Sequence, residues 1–101
     1  MIVYNITIKI APVIHHDWLR WQREEHIRDI MATGLFRDWK MFRLLEQDES
    51  DGITYVVQFF ADSAAAYEKY LADHALLLRE KSFERWGDQF IAFRSVMELV
   101  K

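Results

Sequence analysis

Three stretches of apolar alternation and two helical runs, each closed by a glycine, predict an α+β fold. The expected architecture is a four-stranded antiparallel sheet carrying both helices on one face. Ile2, Tyr4, Ile6, Ile8 and Ile10 alternate with Val3, Asn5, Thr7 and Lys9, the period of two of a strand with one face in a core. Ile53, Tyr55, Val57 and Phe59 repeat the pattern, and so do Ile91, Phe93, Met97 and Leu99 within Phe90 to Val100.

Pro12 stops the first strand and suits the first turn of a helix, where its missing N–H costs nothing. A helix is expected from Val13 to Ala32, with Gly34 in the left-handed position after it. Leu35 to Asp48 carries Phe36, Trp39, Met41, Phe42, Leu44 and Leu45 without helical spacing and reads as strand two. The polar run Gln47 to Gly52 then serves as the hairpin turn into strand three. Asp62 or Ser63 is placed to cap a second helix whose Tyr67, Tyr70, Leu71, His74, Leu77 and Leu78 share one face. Leu76, Phe83 and Trp86 fall on another face. This change of phase predicts a kink or a restart near Asp73 before Gly87 ends the helix.

Strand, helix, strand, strand, helix, strand is the split β-α-β repeat of ferredoxin-like folds. The sheet face away from the helices is then expected to present Val3, Asn5, Thr7, Phe42, Leu44, Val56, Gln58, Phe60, Ala92, Arg94, Val96 and Val100. That surface is too apolar for water, so a homodimer with sheet facing sheet is predicted. Four Trp, four Tyr and seven Phe in 101 residues are more than a small core needs, and the covered face gives the surplus a place.

Bulk properties narrow the partners. With 101 residues and 51% hydrophobic content, the chain suffices for one core, a single domain over residues 1–101. The net charge is −3 with interleaved signs, so no basic stripe tracks a phosphate backbone and nucleic acid is not an expected partner. Cysteine is absent, which excludes disulfides and thiolate chemistry and fits a cytoplasmic protein. The alternating N-terminus is neither a signal peptide nor a membrane span, and no membrane partner is expected.

The segments YNITIKI, WLRWQREEHIRDIMATGLF, GITYVVQFFADSAAAYEKYL and ERWGDQFIAFRSVMEL resemble the uncharacterised bacterial family called domain of unknown function 4286, across essentially the whole chain. EEHI, ATGLF, YVVQFF and GDQFIAFR carry the likeness most specifically. Three positions depart from it: Ala11 stands before the proline in place of an acidic residue, and Arg28 and Leu76 stand where proline is common. The resemblance implies the dimeric α/β-barrel superfamily, which includes cofactor-free monooxygenases, small isomerases, dehydratases, heme-degrading enzymes and non-catalytic ligand-binding modules. A fold likeness by itself assigns none of these activities.

His26 is the first candidate for chemistry. Leu19, Ile27 and Ile30 form an apolar stripe, and His26 lies at its edge in the row Trp18, Gln22, His26. Superfamily pockets lie between sheet and helices, so this row is expected to line one, with His26 as a general base and Tyr4 and Tyr55 shaping the walls. Its plain alternative is a boundary histidine bonded to a strand side chain or nearby backbone.

His74 is expected amid the Tyr67, Tyr70, Leu71, Leu78 face, with Tyr70 as a partner. It stands among the candidate ligand-binding residues with Trp18, Gln22, Tyr4 and Tyr55. Heme-degrading relatives use a helix histidine, a tryptophan and a strand-one asparagine. Here no tryptophan lies near His74, and Asn5 falls on the wrong face, so no cofactor is expected.

His15-His16-Asp17 has no helical or strand pairing for a metal and reads as a solvated first turn, so no metal is expected. Arg43, Arg94 and Glu98 on strands are expected to form interface ion pairs rather than an anion site. Two readings remain. One is a dimeric ligand-binding or structural module without chemistry of its own. The other is a cofactor-independent monooxygenase or isomerase acting on a small aromatic or polyketide-like compound.

Overall fold

A computed structural model describes residues 1–101. The four strands are β1 (Ile2–Ile10), β2 (Asp38–Arg43), β3 (Ile53–Ala61) and β4 (Phe90–Glu98), in the spatial order β2-β3-β1-β4 with every neighbour antiparallel. Both helices cover one face of this ferredoxin-like sheet, as the alternation predicts. The buried core lies between them, where Tyr4, Ile6, Ile8 and Ile10 meet Ile53, Tyr55, Val57 and Phe59. No helix is long and apolar enough to cross a membrane.

The first helix follows a single tight turn, Pro12–Ile14, and runs over residues 15–31. Its middle, Gln22–His26, is a π turn between the α-helical segments His15–Trp21 and Ile27–Met31. The extra residue resets the buried stripe, which steps from Trp18 to Gln22 and then five residues on to Ile27. Gly34 takes φ 75° after the helix, the left-handed position expected of it.

The second helix spans residues 64–86, and the Ser63 hydroxyl caps it by accepting the Ala66 N–H at 3.2 Å. Asp62 pairs instead with Arg37. The change of phase expected near Asp73 is present, but it is made by a second π turn, Leu71–Ala75, and not by a break or a new cap. One inserted residue rotates the following face by about 100° while every backbone angle stays helical, so no terminus has to be capped. The buried stripe becomes Tyr70, Ala75, Leu78 and Trp86, while Leu71 and Leu77 of the expected face are exposed. Gly87 closes the helix with φ 59°, its N–H donating to the Phe83 carbonyl at 2.7 Å.

The phase of β4 corrects the sequence reading. Ile10 pairs with Phe90, Ile8 with Ala92 and Ile6 with Arg94, so Ala92, Arg94 and Val96 lie on the helix side of the sheet. Residues paired directly across an antiparallel ladder share a face, and β1 fixes which face that is. The more apolar side of β4, with Ile91 59%, Phe93 69% and Met97 41% exposed, joins Phe42, 49% exposed, on the open face. Alternation identifies the two sides of an edge strand without saying which one faces inward.

The expected interface ion pairs change with it. Arg43 and Glu98 also stand on the helix-side register, and Arg43 closes a two-pronged pair with Glu49 of the following loop at 2.6 and 3.1 Å. Most of the aromatic surplus is in the helix–sheet layer itself. Only Phe42, Phe60 and Phe93 remain for the open face.

Candidate functional site

Trp18, Gln22 and His26 come together, as their spacing predicts, on the wall of a niche of about 30 Å³ under the first helix. Its floor is Ile6, Ile8, Val57 and Phe59, and its far wall is Ser82, Trp86, Phe90, Ala92 and Arg94. That volume holds a water or two and no aromatic substrate.

The first π turn positions the polar groups. It begins at Gln22, the only buried polar residue at 4% exposed, and ends at His26, whose ring stacks on Trp21 at 4.6 Å and 17°. The His26 Nε2 atom lies 3.4 Å from the Ser82 hydroxyl of the second helix, and Nδ1 is buried without a partner. Burial lowers the pKa to about 4, with Arg94 and Lys81 adding to the shift and Asp29 opposing it. The imidazole is therefore neutral at pH 7. No carboxylate orients it, and its one contact is with Ser82 of the opposite helix, neither the strand side chain nor the nearby backbone that the plain reading offered.

Trp86 presents an edge to Trp21 at 5.8 Å and 79°, and its indole N–H is a second buried donor without an acceptor. Phe90, Ala92 and Arg94 also line a wider groove of about 540 Å³ between the second helix and β4, whose other wall is Arg79, Glu80, Phe83 and Glu84. Niche and groove thus share the helix-side residues of β4.

The other sequence candidates lie outside the niche. Tyr4 is centred in an aromatic cluster with Phe36, Phe59, Tyr67 and Tyr70, its hydroxyl accepting from Arg79 at 3.1 Å. His74 is half-buried and stacks on Tyr70 at 6.3 Å and 27°. Tyr55 touches the back of Trp18 at 5.4 Å and bonds His15, with Nε2 and the phenol oxygen 2.6 Å apart.

The His15 contact corrects the solvated first turn expected of His15-His16-Asp17. The tight turn at Pro12–Ile14 swings His15 onto the sheet, where burial and then Arg43 lower its pKa, while His16 and Asp17 stay exposed. No three His, Cys, Asp or Glu side chains are grouped to hold a metal ion.

Sequence reasoning misses Ser82, Trp86 and Arg79 as site residues and puts Arg94 on the wrong face of the sheet. Ser82 and Trp86 lie beyond the second π turn, where helical counting from Tyr70 is off by one residue. Arg94 needs the phase of β4. The available signal is the pairing of Ile6 with Arg94, a charge opposite a core residue.

The fold recurs in solved structures. A dimeric ferredoxin-like protein from an uncultured marine organism aligns with TM-score 0.70 and 11% identity, over 99% of this chain and 95% of its own. An ethyl tert-butyl ether D family protein from Bacillus halodurans gives TM-score 0.68 and 15% identity, over 99% and 100%. SnoaB, a cofactor-independent oxygenase from Streptomyces nogalater, gives 0.62 and 9%, over 99% and 93%. At such identities the likeness shows the fold alone. The sequence matches no curated protein. The model of one family, described as Domain of unknown function (DUF4286), matches residues 1–100, and this chain belongs to that family.

Proposed function

We propose that the chain is a homodimeric ligand-binding module of the cytosol, self-associated through its open sheet face, with its binding site at the niche under His26 and the groove beside it. The observation that carries the binding site is the niche lined by His26, Ser82 and Trp86, which shares Phe90, Ala92 and Arg94 with the wider groove, with His26 Nδ1 and Trp86 Nε1 left without a protein partner. Buried polar atoms without partners are rare and mark places where something other than close packing is served. The exposed Phe42, Ile91, Phe93 and Met97 support self-association, since a patch of this kind is unfavourable in water. Two of the structural neighbours are described as dimeric.

Binding is favoured over catalysis on chemical grounds. A general base works best with a pKa near the operating pH, and His26, at about 4, is neutral but a weak proton acceptor. Ser82 at 3.4 Å has no oriented base behind it, so no nucleophile is assembled. The second reading, a cofactor-independent monooxygenase or isomerase with His26 as base, rests on the free Nδ1 beside a cavity and on the fold of SnoaB.

Light scattering on a sizing column tests the assembly. A dimer is expected at micromolar concentration, with a total interface of about 1,200 Å² or more, and Phe93→Glu should return it to monomer. A wild-type monomer sinks this part. The site is tested by titrating 2-phenylethanol, a neutral aromatic probe, against tryptophan fluorescence. Saturable quenching supports a site in the groove, whose volume of about 540 Å³ admits a phenyl ring, and weakening by His26→Ala supports a part for the niche through the shared Phe90, Ala92 and Arg94 wall; no saturable signal removes the site.

A further inference from the structure

We infer that the groove between the second helix and β4 binds a small organic monocarboxylate with an apolar body, its carboxylate held by Arg79 and Arg94. This rests on the binding-module reading and names the ligand class of the same site.

Arg79 and Arg94 face each other across the groove, one from the second helix and one from β4. The four ion pairs of the chain use Lys9, Arg37, Arg43 and Lys81 as cations and leave both of these guanidinium groups out. Arg79 is not free surface charge. It is half-buried and held inward, donating from Nη2 to the Tyr4 hydroxyl at 3.1 Å, and its Nε is buried without an acceptor. Arg94 stands on the helix side only because the β4 register pairs it with Ile6. A planar guanidinium matches the two oxygens of a carboxylate, and two such groups carried by different elements, Arg79 held by Tyr4 and Arg94 exposed without a partner, offer a direction as well as a charge.

The rest of the groove selects among anions. Phe83, Phe90 and Ala92 supply apolar wall, which suits a hydrocarbon or aromatic body. Glu80 and Glu84 line the same groove. They stand on the same wall as Arg79 and across from Arg94, and two carboxylates balance two guanidinium groups, so each added negative charge meets Glu80 and Glu84 as well as the arginines and a dianion is disfavoured more than a monoanion. The space, about 540 Å³, lies in the range of small-molecule sites.

The test uses the purified protein and three probes that share a phenyl body: phenylacetate, 2-phenylethanol and phenyl phosphate, each followed by tryptophan fluorescence and calorimetry. Phenylacetate is expected to bind roughly tenfold tighter than the alcohol, the ratio expected for one favourable charged contact. Phenyl phosphate is expected to bind more weakly than phenylacetate. Arg94→Gln, at an exposed position where folding is not at stake, should abolish the advantage of phenylacetate over the alcohol. Arg79→Lys, which keeps the charge and loses the fork, should reduce it. Equal binding of acid and alcohol, or an advantage that survives Arg94→Gln, overturns the carboxylate assignment while leaving the binding module standing. Tighter binding of phenyl phosphate also overturns it. Absence of binding by all three removes the module reading as well.

Discussion

Within one helix–sheet layer, two adjoining regions are built on different terms. Around Tyr4 the rings of Phe36, Phe59, Tyr67 and Tyr70 lie at 5.5 to 6.3 Å, and the Tyr4 hydroxyl has Arg79 as a donor. Around His26 the same helices close on a niche with two unpartnered nitrogens and one long contact to Ser82. The first arrangement gains from dispersion and from satisfied polar groups. The second gives up some of that gain. Secondary structure alone does not decide between them, since each helix contributes a π turn to the layer. What differs is the chemistry of the side chains those turns deliver.

The largest expected effect tests the solid region against the niche. Phe36, buried against Tyr4, Phe59 and Tyr70, should lose about 3 to 5 kcal/mol on Phe36→Ala, the transfer and cavity cost of a large buried ring. His26→Ala should lose only about 1 kcal/mol, because the stacking on Trp21 is given up while an unsatisfied buried nitrogen is removed. Urea melts read both. Equal losses would erase the distinction and make His26 a plain core residue.

Acid should act selectively on the niche. The His26 pKa falls from 6.5 to about 4 on folding, so the unfolded chain binds the proton more readily than the native one. The contribution is complete above pH 6.5, declines as the pH falls toward 4, and is fully lost below that. The slope is at most ~1.4 kcal/mol per pH unit, on the order of 3 kcal/mol in all. His26→Gln should flatten the stability profile across this window relative to wild type. An unchanged slope would mean that the ring is already solvated in the native state.

The solid region was the more legible of the two. Tyr4 and Phe59 announce their faces by alternation along long central strands, and Gly34 and Gly87 announce the helix ends. Trp18, Gln22 and His26 were reachable as a row spaced by four. The opposite wall was not, because each π turn adds a residue that helical counting does not foresee. From the end of Leu71–Ala75 onward, the inward positions are Ala75, Leu78 and Trp86, although Leu77 and Phe83 are as apolar as any of them. The side of β4 was hidden for another reason. Its outer residues Ile91, Phe93 and Met97 are more apolar than its inner ones, so hydrophobicity pointed to the wrong face, and only pairing with β1 gives the side of Arg94.

Adding volume should separate the regions in the opposite sense to removing it. Ala61, fully buried on β3 beside Ile2, borders neither the niche nor the groove, so Ala61→Val should cost about 1 to 3 kcal/mol through overpacking. Ala92 borders the niche. There Ala92→Val places two methyl groups where space exists and favours the strand, so stability should change by less than about 1 kcal/mol, in either direction. The same substitution should also weaken the binding of 2-phenylethanol. A loss at Ala92 matching that at Ala61 would mean that the niche is as tightly packed as the rest of the layer.

The smallest effect is expected at Ser82. Its hydroxyl lies 3.4 Å from His26 Nε2 and 3.4 Å from the Leu78 carbonyl, both long for hydroxyl hydrogen bonds, whose usual separation is about 2.7 to 2.8 Å. With the proton on Nε2, Ser82 accepts from His26 while donating to the Leu78 carbonyl; with the proton on Nδ1, its one hydroxyl proton is shared between two acceptors, and in either tautomer both contacts are long. Ser82→Ala should therefore cost about 0.5 kcal/mol or less, well below a typical hydrogen bond. Nitrogen NMR of His26 gives the functional half of the measurement, since it reports which ring nitrogen carries the proton. With so weak a contact, the tautomer ratio should be the same in wild type and Ser82→Ala. A cost above about 1.5 kcal/mol, together with a changed tautomer ratio, would show that Ser82 orients the imidazole. His26 would then have the positioning partner a general base requires, and the enzyme reading would overtake the binding module.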